Sequence, residues 1–104
     1  MDEKLINWTF PAMEMLAEIH EYLSEYSNAA ADTYIQELVE YTERLKQHPE
    51  ACAPCRNPRL MAAGFRCCQV KNHIIIYEVL TDRVNVLAVM HVKRDPRDFE
   101  EELL

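Results

Sequence analysis

The feature that most constrains the fold is the stretch 66–95, led in by Gly64-Phe65. It reads RCCQVKN, HIIIYEVL, TD, RVNVLAVMHVKRD, so three β-rich runs are separated by very short breaks. Ile74-Ile75-Ile76-Tyr77 and residues 84–92 are dense in β-branched and aromatic side chains, which fit a pleated, half-buried surface. Only Thr81-Asp82-Arg83 interrupts the second and third runs, which predicts a tight hairpin. The stretch is therefore a three-stranded antiparallel meander. One face of it must be covered by whatever precedes it.

What precedes it has helical period. Leu5-Ile6-Asn7-Trp8 is a short apolar run and a first strand, too distant to join the meander as a local hairpin. Thr9 is placed as an N-cap, with Pro11 in the first turn, where its missing N–H costs little. Ala12, Leu16, Ile19, Leu23 and Tyr26 then form one apolar stripe over a helix spanning 10–26, with Glu14, Glu18, Glu21 and Glu25 opposite. Ser27-Asn28 breaks this helix and caps the next, over 29–47. The second stripe runs through Ala31, Tyr34, Ile35, Leu38, Tyr41, Thr42 and Leu45, and Pro49 ends it. So short a break implies an antiparallel helical hairpin. Residues 48–61, with Pro49, Pro54 and Pro58, read as a loop, and Gly64 as a turn or bulge before the meander. Asp95 or Pro96 starts a short last helix with Phe99, Leu103 and Leu104 on its apolar side. The expected fold is α+β in the order β-α-α-β-β-β. A helical hairpin covers one face of a mainly antiparallel sheet, in a single domain spanning 1–104.

Composition limits the function classes. A single Gly leaves no room for a phosphate-cradling glycine loop, and no apolar run is long enough to span a membrane. The opening MDEKLINWTF has no apolar core after a basic start, so no secretory signal is expected, and the reading is a cytoplasmic chain with four free thiols. The net charge of −7 hides a division. Residues 1–55 carry 11 acids against 3 bases, whereas residues 56–97 carry 8 bases against 3 acids, and an acidic tail follows. A basic sheet behind acidic helices can present different surfaces to different partners, although helix exteriors are commonly just solvated glutamate.

Three groups of residues are candidates for chemistry. Cys52-Ala53-Pro54-Cys55, with His48, Cys67, Cys68 and His73, invites a zinc reading. It is weak, because there is no second C-x-x-C and adjacent Cys67 and Cys68 on a strand point to opposite faces; no metal is assigned. Arg66 opens the first meander strand, and His91 and Arg94 close the last. Alternation puts Arg66, Cys68 and Val70 on one face, and Asn85, Leu87, Val89 and His91 on one face of the last strand. If the faces coincide, the group could do acid–base work on a phosphodiester, or dock an acidic peptide. Otherwise Arg66 simply pairs with a helix carboxylate, and His91 is a satisfied strand-end residue. Tyr77 reads as a core residue whose hydroxyl finds a partner at the sheet edge, and Glu78 as a partner for a strand Arg or, less commonly, a base.

Taken in order, Trp8-Thr9-x-x-Ala12, Ala29-Ala30, Leu45-x-x-His48-Pro49, Gly64-Phe65-Arg66, His73-x-Ile75-x-Tyr77-x-Val79, Val86-Leu87-x-Val89-x-His91 and Arg94-Asp95 resemble the ParE/RelE superfamily of small bacterial toxins, often called plasmid stabilisation proteins. The resemblance covers nearly the whole chain and agrees with the derived order of elements. It implies a toxin of a type II toxin–antitoxin module, with no cofactor, paired with an antitoxin that lays an acidic, partly apolar segment over the helical hairpin and sheet in a dimer or higher complex.

The RelE branch cleaves mRNA in the ribosome, using strand arginines and a C-terminal aromatic or His. Here Ile74 stands at the matching strand position, and Phe99, near the place of the aromatic, has no hydroxyl. If the chain were such a nuclease, Arg66, His91 and Arg94 would be its catalytic residues. The motifs are closer to the ParE branch, which implies inhibition of DNA gyrase by binding, without a catalytic set. On that reading Arg66, Arg83 and Arg94 are the expected antitoxin contacts. A family member that serves only as its antitoxin's partner is the third alternative.

Overall fold

Thr9 is the junction on which the first half turns. Its hydroxyl accepts the N–H of Ala12 at 3.3 Å and so caps α1 (Phe10–Ser24), while its backbone N–H donates to Val86, closing β1 (Leu5–Trp8) onto the sheet. Ser27 accepts from Ala30 at 3.1 Å and caps α2 (Asn28–Glu43), which tightens into a 3-10 turn at Arg44–Lys46. These elements belong to a computed structural model of the chain that describes residues 3–104. Met1 and Asp2, which open the stretch read as lacking a secretory signal, lie outside the described residues. No helix among the described residues is long and apolar enough to cross a membrane.

The meander forms as expected, from β2 (Phe65–Val70), β3 (His73–Val79) and β4 (Arg83–His91). Strand order is β1-β4-β3-β2, antiparallel within the meander and parallel between β1 and β4, since the helical hairpin carries the chain back to start a strand in the same sense. Lys71 takes a positive φ of 54° in the turn between β2 and β3, and Gly64 one of 86° before β2.

The sheet separates two clusters. On one face Ile75, Tyr77, Val84, Val86 and Val89 pack against Ala12, Leu38 and Leu45 of the hairpin and turn. On the other, Ile76, Ala88 and Met90 pack beneath Leu60 of α3 (Pro58–Ala62) and Phe99 of α4 (Pro96–Leu103). Each fully buried aliphatic side chain stabilises the fold by about 1.5–3 kcal/mol. Both faces are therefore covered, and the strands read as continuous apolar runs rather than alternating ones.

Four expectations change. The first helix stops at Ser24, so Tyr26 leaves the core and packs edge-on against Tyr22, with ring centroids 5.8 Å apart. The presumed loop 48–61 contains the start of α3, whose cap is Asn57, accepting from Arg59 and Leu60, with Pro58 next. On β4, Ala88 faces Ile76 while Val86 faces Tyr77, so Leu87 is an extra, unpaired residue. This bulge reverses the alternation: Val89 and His91 share a face with Val84 and Val86, not with Asn85.

The fourth change concerns the cysteines, which are not thiols. Cys52 is bonded to Cys68 and Cys55 to Cys67. The segment before α3 runs antiparallel along the outer edge of β2, with Pro54 bridging Arg66. Adjacent Cys67 and Cys68 point to opposite faces, and each meets its own partner there. The geometry that argues against a shared metal ion is the geometry that makes two disulfides.

Candidate functional site

A groove of about 510 Å³ opens between α1 and the end of β4. Ile19, Tyr22 and Leu23 supply its wall on α1, spaced so that they share one side of the helix. Val89, Met90 and His91 form the β4 side, and Tyr34, His73 and Arg94 complete it. β1 pairs with Arg83–Val86, so among the described residues no strand covers the β4 edge beyond Val86. Glu18 and Arg94 are the charged lining residues.

Polar groups in the groove are tied together. His73 and His91 are cross-strand partners with ring centroids 5.1 Å apart, edge to face. The Tyr34 hydroxyl accepts the Asn72 N–H at 3.2 Å and lies 2.6 Å from His73 Nδ1. The arrangement that uses every donor has Tyr34 donating to a neutral His73 that carries its proton on Nε2. Burial, and then the proximity of His91, lower the His73 pKa to about 4, so the ring is uncharged at neutral pH. His91 accepts from the Lys93 N–H at 3.1 Å through Nδ1. Arg94 donates to Asp98 at 3.3 Å, to the Met90 sulfur at 3.3 Å and to Glu102. The carboxylates of Glu102, foremost, and Asp98 raise its pKa and hold it charged.

The candidate residues do not all converge. His91 and Arg94 reach the same groove, and the Arg94 N–H closes a turn onto the His91 carbonyl at 3.0 Å. Arg66 faces Tyr77, whereas His91 faces His73, four residues along β3. That separates them by about 13 Å along the strand alone. Arg66 donates instead to the Cys52 carbonyl at 2.7 Å and to Glu50 at 3.5 Å. Arg83 sits at the start of β4, bonded to Asp82 and Asn85. Glu78 accepts from Asn85 at 3.0 Å rather than from an arginine. Tyr77 is fully buried and its hydroxyl donates to the Pro49 carbonyl at 2.8 Å, as a core tyrosine with an edge partner should.

Tyr34 and His73 are the members of the site that residue-level reading left out of it. Tyr34 stands in the apolar stripe of α2, where a hydroxyl attracts no notice. His73 becomes a site residue only once the β3–β4 register pairs it with His91. Among the described residues, no group of three His, Cys, Asp or Glu side chains is placed to hold a metal ion.

The solved structure "Chromosomal ParDE TA system from P. aeruginosa" contains a chain of the same fold, with a TM-score of 0.73 at 21% identity, covering 88% of this chain and 98% of that one. No curated protein matches in sequence. The family model "ParE toxin of type II toxin-antitoxin system, parDE" matches residues 6–96, from within β1 to the first residue of α4. The chain belongs to the ParE toxin family of type II toxin–antitoxin systems.

Proposed function

We propose that the protein is the toxin of a bacterial type II module, that it acts in the cytoplasm by binding DNA gyrase rather than by catalysis, and that a cognate antitoxin neutralises it. The observation that carries this reading is the separation of Arg66 from His91 and Arg94. A nuclease needs its base and its charge-stabilising groups within hydrogen-bond reach of one phosphodiester. Here Arg66 is held toward the Cys52 carbonyl, at the other end of the sheet from His91.

The antitoxin segment docks in the groove beside α1. Ile19, Tyr22 and Leu23 offer an apolar surface to its hydrophobic residues, and Arg94 offers a charge to its acids. Arg66 and Arg83 lie outside the groove and act as flanking contacts for a segment long enough to wrap the sheet.

The test is a supercoiling assay with purified gyrase. Inhibition at near-stoichiometric toxin, relieved by adding the antitoxin, is the expected result. Unimpaired supercoiling, with mRNA cut in a translating extract instead, would overturn the reading and make His91 and Arg94 the residues to mutate.

A further inference from the structure

All four cysteines of the chain are paired, and the pairs sit on opposite faces of one strand. Cys52–Cys68 belongs to the cluster beneath the helical hairpin, and Cys55–Cys67 to the cluster beneath α3 and α4. Between them the backbone pairs as an edge strand would: Cys55 N–H donates to the Phe65 carbonyl at 3.0 Å, and Cys67 N–H to the Ala53 carbonyl at 3.2 Å. The segment 52–55 thereby caps the outer edge of β2, which would otherwise present unpaired donors and acceptors. The same segment holds Arg66 through the Cys52 carbonyl, and Pro49 just before it holds the Tyr77 hydroxyl. One short loop, fastened by two covalent bonds, controls an edge strand and a cation.

The cytoplasm is kept reducing by small thiols, and a disulfide there persists only if it is inaccessible or is meant to exchange. Cys52, Cys55 and Cys68 are each 9% exposed or less, whereas Cys67 is only half-buried. Cys67 is therefore the cysteine of the four that is most open to solvent, and the one an attacking thiolate meets first. We propose that the two disulfides form a redox-controlled clamp. Closed, it caps the β2 edge and holds Arg66; opened by exchange with glutathione, it releases the loop and exposes both. The inference rests on the cytoplasmic reading above for the source of thiol, while the exchange is a property of the chain itself.

The chemistry balances as thiol–disulfide exchange. A glutathione thiolate attacks Sγ of Cys67, the Cys67–Cys55 bond breaks, and the electron pair leaves on the Cys55 sulfur, which takes up a proton. A second glutathione thiolate attacks the glutathione sulfur of the mixed disulfide, and the electron pair leaves on Cys67 Sγ, which takes up a proton. One protein disulfide and two glutathione thiols thus become two protein thiols and one glutathione disulfide. Release of this side uncovers Cys52–Cys68, which exchanges second by the same steps. Glutathione disulfide drives the reverse.

The experiment equilibrates the full chain in glutathione buffers from fully oxidised to fully reduced, then splits each sample. One half is alkylated and mapped by mass spectrometry; the other is cut briefly with trypsin. The expected result is two steps, with Cys55 and Cys67 alkylated before Cys52 and Cys68. Cleavage after Arg56 should speed up by about an order of magnitude or more on opening. The variant Cys55→Ser with Cys67→Ser should retain the Cys52–Cys68 bond and show only the second step. Four reactive thiols in protein never exposed to reductant would overturn the proposal. So would disulfides that the glutathione buffers leave intact, or equal cleavage in the two states. None of these readouts involves gyrase, so failure of the gyrase reading and failure of the clamp are separable.

Discussion

Removing the single oxygen of Tyr77 tests how the loop is tied to the core. The ring is fully buried, its hydroxyl donates to the Pro49 carbonyl at 2.8 Å, and it accepts from the Cys52 N–H at 3.4 Å. Burial of the ring raises its pKa, so it is the neutral phenol that makes both bonds. In Tyr77→Phe the carbonyl and the amide both lose their partner while the ring keeps its packing. A buried polar group left unsatisfied costs about 1–3 kcal/mol. The 3.4 Å contact is long and contributes little, and Pro49 is only half-buried, so the expected loss lies in the lower half of that range, at about 1.5 kcal/mol. For a domain near this size that corresponds to a fall in Tm of about 6–12 °C. In urea, with a slope of about 1 kcal/mol/M, the midpoint should fall by about 1.5 M at unchanged slope. Chemical denaturation of oxidised protein followed by circular dichroism measures it. A loss below about 0.5 kcal/mol would refute the reasoning, because the loop would then be held by its disulfides, its backbone pairing with β2 and Arg66, with no contribution from the hydroxyl.

Three further outcomes are expected. Leu38→Ala, at a fully buried position between the hairpin and the sheet, should cost about 2–5 kcal/mol in the same denaturation assay. His73, lowered to about 4, takes up its proton in the unfolded chain near pH 6.5 but not in the folded one, so stability is lost as pH falls from about 6.5 to about 4. Linkage sets the loss at up to about 3 kcal/mol, and solvent screening of the half-exposed ring reduces it to about 1–2 kcal/mol. His73→Gln, compared with the wild type at pH 7 and pH 4.5 in urea, should remove that part of the slope. Charge reversal at Arg66, Arg83 and Arg94 together should weaken antitoxin binding by calorimetry about 10-fold or more at low salt, with Arg94 the largest single contributor. Unchanged affinity would contradict the docking assignment.

Much of the fold was legible in the residues because independent signals agreed. The Ala12-Leu16-Ile19-Leu23 stripe, the caps at Thr9 and Ser27 and the β-branched runs each point to the same arrangement. The failures have identifiable causes. Residues 84–90 form an unbroken apolar run apart from Asn85, so period-2 alternation could not locate the bulge at Leu87 or say which face His91 takes. Three prolines disguised α3 as loop, although Asn57-Pro58 is a cap followed by a proline suited to the first helical position. Free thiols follow from the compartment, whereas the pairing follows from position. Their pairs are nested in sequence, as antiparallel neighbours must be, and Cys67-Cys68 on one strand needs a partner on each face. The groove was the least legible feature, because it depends on where β1 stops and on a register that pairs His73 with His91.

The most direct test of the central claim is pulse labelling of DNA and protein synthesis in bacteria after inducing the chain without its antitoxin. Gyrase inhibition predicts that DNA synthesis falls first, with translation continuing through the early pulses. A prompt fall in protein synthesis while DNA synthesis continues would contradict it and assign the toxin to the ribosome.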